Sequence, residues 1–340
     1  MNAGMRWGTL CGVAAGALWG LVFVVPLLLP DYPAPLLAFG RYLAFGLITL
    51  PLAWWDRAAL AQLRRADWLQ ALRLAAIGSI TFYLLLTSAI QLAGVPLPTL
   101  IASGALPVAI AVASNLRAGR AALPWGQLFP SLGLILGGIA LVNHHELLAL
   151  QHSSASQLES YGVGIGLALV AMLCWTWYPI RNADWLRAHP GVSSRTWATA
   201  QGLVTLPMAL VGFAISWLWL QQDGLGFTTP LGPRPWAFVC GMFAAGLVGS
   251  WLGALCWNAA CQHLPTTMSG QLIVCETLSA LAYGFALRQQ FPPTETVAGI
   301  ALLVAGVLWA LHSRGAQSPQ AAPAAPPVRT PQHTATQPPH

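Results

Sequence analysis

Apolar residues in this chain run in long, nearly unbroken stretches instead of alternating or recurring every third or fourth position. A membrane-crossing helix needs about 20 predominantly apolar residues. Ten stretches meet that length: 7–29, 34–55, 70–92, 95–116, 124–143, 162–181, 195–220, 235–262, 266–287 and 296–313. The pattern predicts an all-α polytopic membrane protein of ten transmembrane helices and leaves no room for a soluble catalytic domain. The first stretch, Trp7 to Leu29, is longer than the apolar core of a signal peptide. It ends in VVPLLLPDYP with no A-x-A cleavage site, so it reads as a retained span.

Composition agrees: 56% of residues are hydrophobic and 7% charged, against roughly a quarter charged in soluble domains. All 15 basic residues are arginine. With the N-terminus placed inside, Arg6, Arg57, Arg64, Arg65, Arg73, Arg117, Arg120, Arg181, Arg187, Arg195, Arg314 and Arg329 fall on one side, and Arg234 and Arg288 on the other. By the positive-inside rule this predicts two cytoplasmic termini. The formal charge of +6 is then a topology signal and a contact for anionic lipid, not a nucleic-acid footprint. The six cysteines, at 11, 174, 240, 256, 261 and 275, all fall within spans, with neither a disulfide framework nor a metal spacing.

Self-comparison divides the chain. GLITLP at Gly46–Pro51 matches GLVTLP at Gly202–Pro207, an offset of 156 that also pairs Gly8 with Gly164, Ala15 with Ala171 and Trp19 with Trp175. At an offset of 171 to 172, Gln91 pairs with Gln262, and LIASGALP from Leu100 pairs with LIVCETLS from Leu272. Five spans per half is an odd number, which forces the second half to sit upside down: a 5+5 inverted-topology repeat with its site near the midplane. The expected units are a first five-helix repeat (1–143), an external loop (144–161), a second, inverted repeat (162–313) and a Pro/Ala/Gln-rich cytoplasmic tail (314–340) too polar to bury a core.

The 5+5 pattern resembles the EamA-type branch of the drug/metabolite transporter superfamily. So do ALWG (Ala17–Gly20) in span 1, Arg41 within FGRYLAFG early in span 2, and small-residue-rich spans 4 and 9. The likeness covers about residues 6–313. Two departures stand out. The short G-E motif common just after spans 4 and 9 is replaced by LRAGRAAL and LRQQFPPTE, where only Glu295 approximates the glutamate. Spans 1 and 6 also lack the carboxylate that small multidrug relatives carry in span 1. The resemblance implies export of amino acids, metabolites or drugs across a bacterial inner membrane.

The polar residues inside the spans carry the candidate chemistry. A carboxylate at mid-span costs on the order of 2.5–3.5 kcal/mol on insertion scales, so such groups face a bundle interior or a wet cavity. Glu276, in LIVCETLSALAYGFAL, is that residue. It reads as an anchor for a substrate amine and as the proton-coupling candidate; the competing reading is a neutral acid bonding two helices. Arg41 reads as a bidentate clamp for a substrate carboxylate, or as a side chain reaching outward to headgroups. If both face one cavity they suit a zwitterion; a mutual ion pair locking a closed state is the rival.

Trp19 and Trp175 occupy matched positions and read as an aromatic wall for a cation or ring, or as packing. Asn258, Tyr83 and Gln271 complete the substrate-binding candidates, among mid-span groups that include Gln201, Thr87, Gln91 and Gln262. Asn258 and Gln262 share a helical face, as do Thr87 and Gln91. Trp54, Trp55, Trp68, Trp125, Trp217, Trp219 and Trp236 sit where interface belts belong.

Enzymatic patterns fail. HHELLALQH places Ala149 where H-E-x-x-H requires histidine, and there is no G-x-S-x-G or intramembrane aspartate pair. No cofactor and no metal are expected. The partners expected are a small-molecule substrate and membrane lipids, with no nucleic acid and with a homodimer left open. The reading is a non-enzymatic inner-membrane transporter exporting small amino-acid-like zwitterions or metabolites by alternating access, with hydrophobic cations as the alternative cargo.

Overall fold

The computed structural model describes residues 3–93, 98, 100–118, 125–142, 144, 154–222, 227, 231–264, 269, 272–289 and 291–315. Among these residues all regular structure is helical. The principal helices are α1 (Ala3–Leu28), α2 (Ala34–Trp55) and α3 (Arg65–Ala93); α4 (Leu106–Ala118), α5 (Trp125–Val142) and α6 (Ala155–Ala188); α7 (Ser194–Gln222) and α8 (Pro235–His263); and α9 (Val274–Arg288) and α10 (Thr294–Gly315). Six of them, α1, α2, α3, α6, α7 and α8, are long and apolar enough to cross a membrane. Shorter apolar helices lie within α5, α9 and α10. Trp54, Trp55 and Trp236 are exposed, as interface side chains would be.

Three departures from helical regularity matter. α1 tightens to a 3-10 turn at Leu21–Phe23 before resuming at Val24. Pro26 lacks an N–H and its ring crowds the carbonyl four residues back, at Val22. α3 and α8 each contain an eight-residue π-helical segment, Leu74–Thr81 and Ala245–Leu252, 171 residues apart. Such wide turns concentrate at functional sites. Within each, a glycine receives a neighbour that a methyl group would displace: a Cβ at Gly78 would stand 2.6 Å from Tyr178 Cβ, and Gly249 faces Val22.

The helices pair in a recurrent way. α1 packs on α8 and α9, and α6 packs on α3 and α4; α2 lies along α7, and α5 along α10. The α5–α10 contact is close enough that Ser131 Oγ donates to the Gly306 carbonyl at 2.7 Å. One end of the bundle gathers the start of α1 and the ends of α2, α6 and α8. There Arg195 pairs with Asp56, Arg117 with Asp184 at 3.0 Å, and His189 approaches Asp67 at 3.4 Å. We call this the N-terminal face. At the opposite face Arg234 pairs with Asp31 at 2.7 Å, and the Tyr32 hydroxyl donates to the Leu231 carbonyl at 2.8 Å.

One boundary differs from expectation. α6 begins at Ala155, taking in residues 155–161 of the expected external loop. Ser154 and Gln157 cap it reciprocally through the Ser154 hydroxyl and the Gln157 amide. The helix therefore carries Glu159 and, at its far end, Asp184, both outside the apolar stretch that defined the expected span.

Candidate functional site

The site is built on close approach of α1 to its neighbours. Gly8, Gly12, Gly16 and Gly20 recur every fourth residue and so share one face of α1. A Cβ on Gly16 would stand 2.8 Å from the Glu276 backbone nitrogen, and one on Gly20 2.8 Å from that of Ala280. Small residues at such a seam let two backbones meet, the main means of joining helices where lipid removes the hydrophobic driving force. The seam places Glu276 in the first turn of α9, beside Trp19 on α1. At that end of a helix the backbone N–H groups gather partial positive charge.

Glu276 borders a cavity between α1, α2, α3, α6, α7 and α8, lined also by Arg41, Trp19, Trp175, Tyr83 and Ser250. The space open to water centres is about 40 Å³. A water requires roughly 10–15 Å³ on that measure, so the cavity has room for a few waters and is narrower than an amino acid. Glu276 is 2% exposed and Arg41 7%. Neither faces surrounding lipid.

Arg41 is held from three sides. Its Nε donates to Ser250 Oγ at 3.0 Å, and its guanidinium carbon lies 4.6 Å from the Tyr83 ring centre and 5.0 Å from that of Tyr42. These ring faces are electron-rich and attract the cation. On the other wall Trp19 and Trp175 meet edge to face at 5.2 Å. Phe82 and Tyr178 stack on Trp175 at 4.7 and 5.1 Å. The Tyr178 hydroxyl donates to Gln201 Oε1 at 2.9 Å, carrying the polar lining to α7.

Of the residues expected from sequence, the cavity therefore gathers Glu276, Arg41, Trp19, Trp175 and Tyr83. Asn258 is fully buried on the N-terminal side of it, in a hydrogen-bond network that meets the cavity wall at Gln201. Asn182 Nδ2 donates to Asn258 Oδ1 at 2.8 Å, while Asn182 Oδ1 accepts from Trp197 Nε1 at 2.8 Å and from Gln201 Nε2 at 3.1 Å. Gln271 lies outside the described residues. Thr87 and Gln91 line a separate pocket of about 260 Å³ with Pro26, Tyr32 and Leu37.

Sequence reasoning passed over Tyr42, Ser79, Phe82 and Ser250, all of which line the cavity. A signal existed for two of them. Ser79 and Ser250 are related by the same 171-residue offset as the glutamine pair. Nothing comparable marks Tyr42 or Phe82.

A sequence profile of the EamA-like transporter family matches residues 6–144. The inner membrane protein YtfF of Escherichia coli (strain K12) is 49% identical over 312 residues, covering 90% of this chain and 95% of that protein. Among solved structures, one crystal structure aligns with a TM-score of 0.63 at 16% identity, covering 92% of this chain and 99% of that one. That last likeness concerns the fold alone.

Proposed function

Since the chain belongs to the EamA-like transporter family and is a membrane transporter, we propose that it exports small amino-acid-like zwitterions or metabolites across a bacterial inner membrane. Alternating access moves the cargo. The observation that carries this reading is the lining of one buried cavity by both Arg41 and Glu276. A guanidinium suits a carboxylate through parallel hydrogen bonds, and a carboxylate suits an amine. Trp19 and Trp175 supply the apolar wall between them. The 49% identity to a protein named for the inner membrane supports the location, and the arginine distribution supports cytoplasmic termini, with the N-terminal face inward.

The inverted 5+5 repeat belongs to the same proposal. Its supports are the mirrored packing of α1 on α8 and α9 and of α6 on α3 and α4, and the matched π segments of α3 and α8. Under that repeat the cavity sits at the interface of the halves, where carriers of this architecture place their substrate.

A hydrophobic cation is the second reading, favoured by the aromatic lining. A buried Arg41 beside the cavity opposes it, because a cargo with one positive charge would meet a guanidinium held within the same walls. Proton coupling rests on Glu276, the buried carboxylate of the cavity.

The test is uptake into inside-out vesicles of labelled amino acids against a quaternary ammonium ion, with Arg41→Ala and Glu276→Gln variants. We expect amino-acid uptake to fall by tenfold or more in each variant, and its dependence on a pH gradient to vanish in Glu276→Gln. Quaternary ammonium uptake that survives Arg41→Ala, with no amino-acid uptake in the parent, would replace the zwitterion with the cation.

A further inference from the structure

Below the central cavity, toward the N-terminal face, lies a run of buried amides that the substrate reading does not use. It starts at Gln201, on the cavity wall, and passes through Asn182 to Asn258. Asn258 Nδ2 donates to the Ser194 carbonyl at 3.3 Å, the Ser194 hydroxyl donates to Gln262 Oε1 at 2.7 Å, and Gln262 Nε2 donates to the Val192 carbonyl at 2.9 Å. Gln262 then lines a wide pocket at the N-terminal face, with Arg187, Ser193 and His263. A continuous hydrogen-bonded file thus joins the cavity to the surface. Apolar side chains would fill this space at lower desolvation cost, since burying amides is unfavourable unless every one is bonded.

The repeat offset of 171 supplies the comparison. Asn258 and Gln262 on α8 correspond to Thr87 and Gln91 on α3, and each pair begins six residues after the π segment of its helix. The two ends of the molecule treat these equivalent pairs differently. Asn258 and Gln262 reach across to α6, to α7 and to Val192 in the turn between them. The Thr87 hydroxyl bonds back to Tyr83 and Leu84 of its own helix, at 2.8 and 3.1 Å, and Gln91 is exposed. Both ends carry a pocket, of about 560 Å³ beside Gln262 and about 260 Å³ beside Thr87 and Gln91, and the cross-helix amide file lies between the first of these and the cavity.

We propose that Asn258 and Gln262 latch the inner gate: the C-terminal part of α8, Gly253–His263, seals the substrate path by bonding to α6 and α7, and swings on the Ala245–Leu252 π segment to open it. Phe82–Ala93 of α3 is the matching element at the other end, without cross-helix bonds from Thr87. The amides are polar because in the open state they line a wet passage. The inference rests on the transporter reading of the central cavity, but its first readout, thiol reactivity, requires no substrate.

The experiment uses the full-length chain with its six cysteines changed to serine and a single cysteine at Ser79, on the cavity wall. A membrane-impermeant thiol reagent is applied to oriented vesicles from either side. With the latch intact, reaction from the N-terminal face is expected to be slow. Asn258→Leu removes two latch bonds and strands the Asn182 amide, and should accelerate reaction from the N-terminal face about tenfold, the factor that one to two net hydrogen bonds supply. An unchanged rate overturns the proposal.

A second variant pair, Ser194→Cys with Gln262→Cys, closes the gate covalently. Oxidation should abolish transport, and reduction should restore it. Transport that continues while the disulfide is formed also overturns the proposal. Should the cysteine-free background fold poorly, hydrogen exchange on the native-cysteine protein reads the same gate. Asn258→Leu should speed exchange in the peptide over 253–263 and leave α10 unchanged, and equal exchange in both refutes the latch. Absence of amino-acid uptake in the parent, with these changes seen, would count against the cargo assignment and not against the gate.

Discussion

Gly16→Ala tests whether backbone contact between α1 and α9 sets the site. The added Cβ would stand 2.6 Å from Cys275 Cβ and 2.8 Å from Glu276 N. Carbon atoms in favourable contact sit about 3.5–4.0 Å apart, so the helices must separate by roughly 1 Å. Those neighbours are backbone and Cβ atoms, which cannot rotate aside. Overpacking of this kind costs about 1–3 kcal/mol. Against it stands the better helix propensity of alanine, worth about 1 kcal/mol. The net expectation is a loss of about 0–2 kcal/mol, together with a displaced Glu276 carboxylate.

The control is Gly166→Ala on α6, where the new methyl meets nothing within 4 Å, so that only the propensity gain remains. In detergent, Gly16→Ala should melt below the parent and Gly166→Ala at or above it. In vesicles the first should lose transport steeply, since a 1 Å misplacement of a positioned group can cost about a hundredfold. If Gly16→Ala melts as high as Gly166→Ala and transports normally, the seam does not position the site.

Two more outcomes follow from the same geometry. Ser250→Ala removes the hydroxyl that accepts from Arg41 Nε; a net hydrogen bond is worth about 1 kcal/mol, so KM for a zwitterionic cargo should rise about 2–10-fold with kcat nearly unchanged, as kinetic titration of uptake would report. Asp56 is buried and takes two bonds from Arg195, whereas Asp31 and Arg234 at the other face are about half exposed. Asp56→Asn should therefore lower the melting temperature clearly, by a loss of about 1–2 kcal/mol, while Asp31→Asn stays within about 1 kcal/mol of the parent; equal shifts would contradict the burial argument.

The bilayer makes part of this molecule easy to read. Each long apolar run holds a described helix over all or part of its length, because hydrocarbon admits almost no other backbone arrangement. Their polar ends were less legible. α6 starts early because Ser154 and Gln157 cap it, a local hydrogen-bond choice that hydropathy does not register. Glu276 and Arg41 stood out because ionisable groups are costly inside a membrane, but their meeting at one cavity depends on α1, α8 and α9 closing along glycines. Asn258 shows the limit most clearly. An amide in a span announces that it needs a partner without naming it, and Asn182, its partner, lies 76 residues earlier. The π segments leave no hydrophobic signature at all.

The opposite charges lining the cavity bear on energetics across the membrane. With Arg41 charged and Glu276 ionised they cancel, and a cargo bearing one plus and one minus leaves that sum untouched. Moving one elementary charge through the membrane potential is worth about 2.3 kcal/mol per 100 mV, a toll that a lone cation leaving a negative interior would meet in full. A neutral guest passing fixed groups of opposite charge transfers no net charge, so under the proposed zwitterion cargo its movement would not respond to that voltage, unless a proton travels the other way.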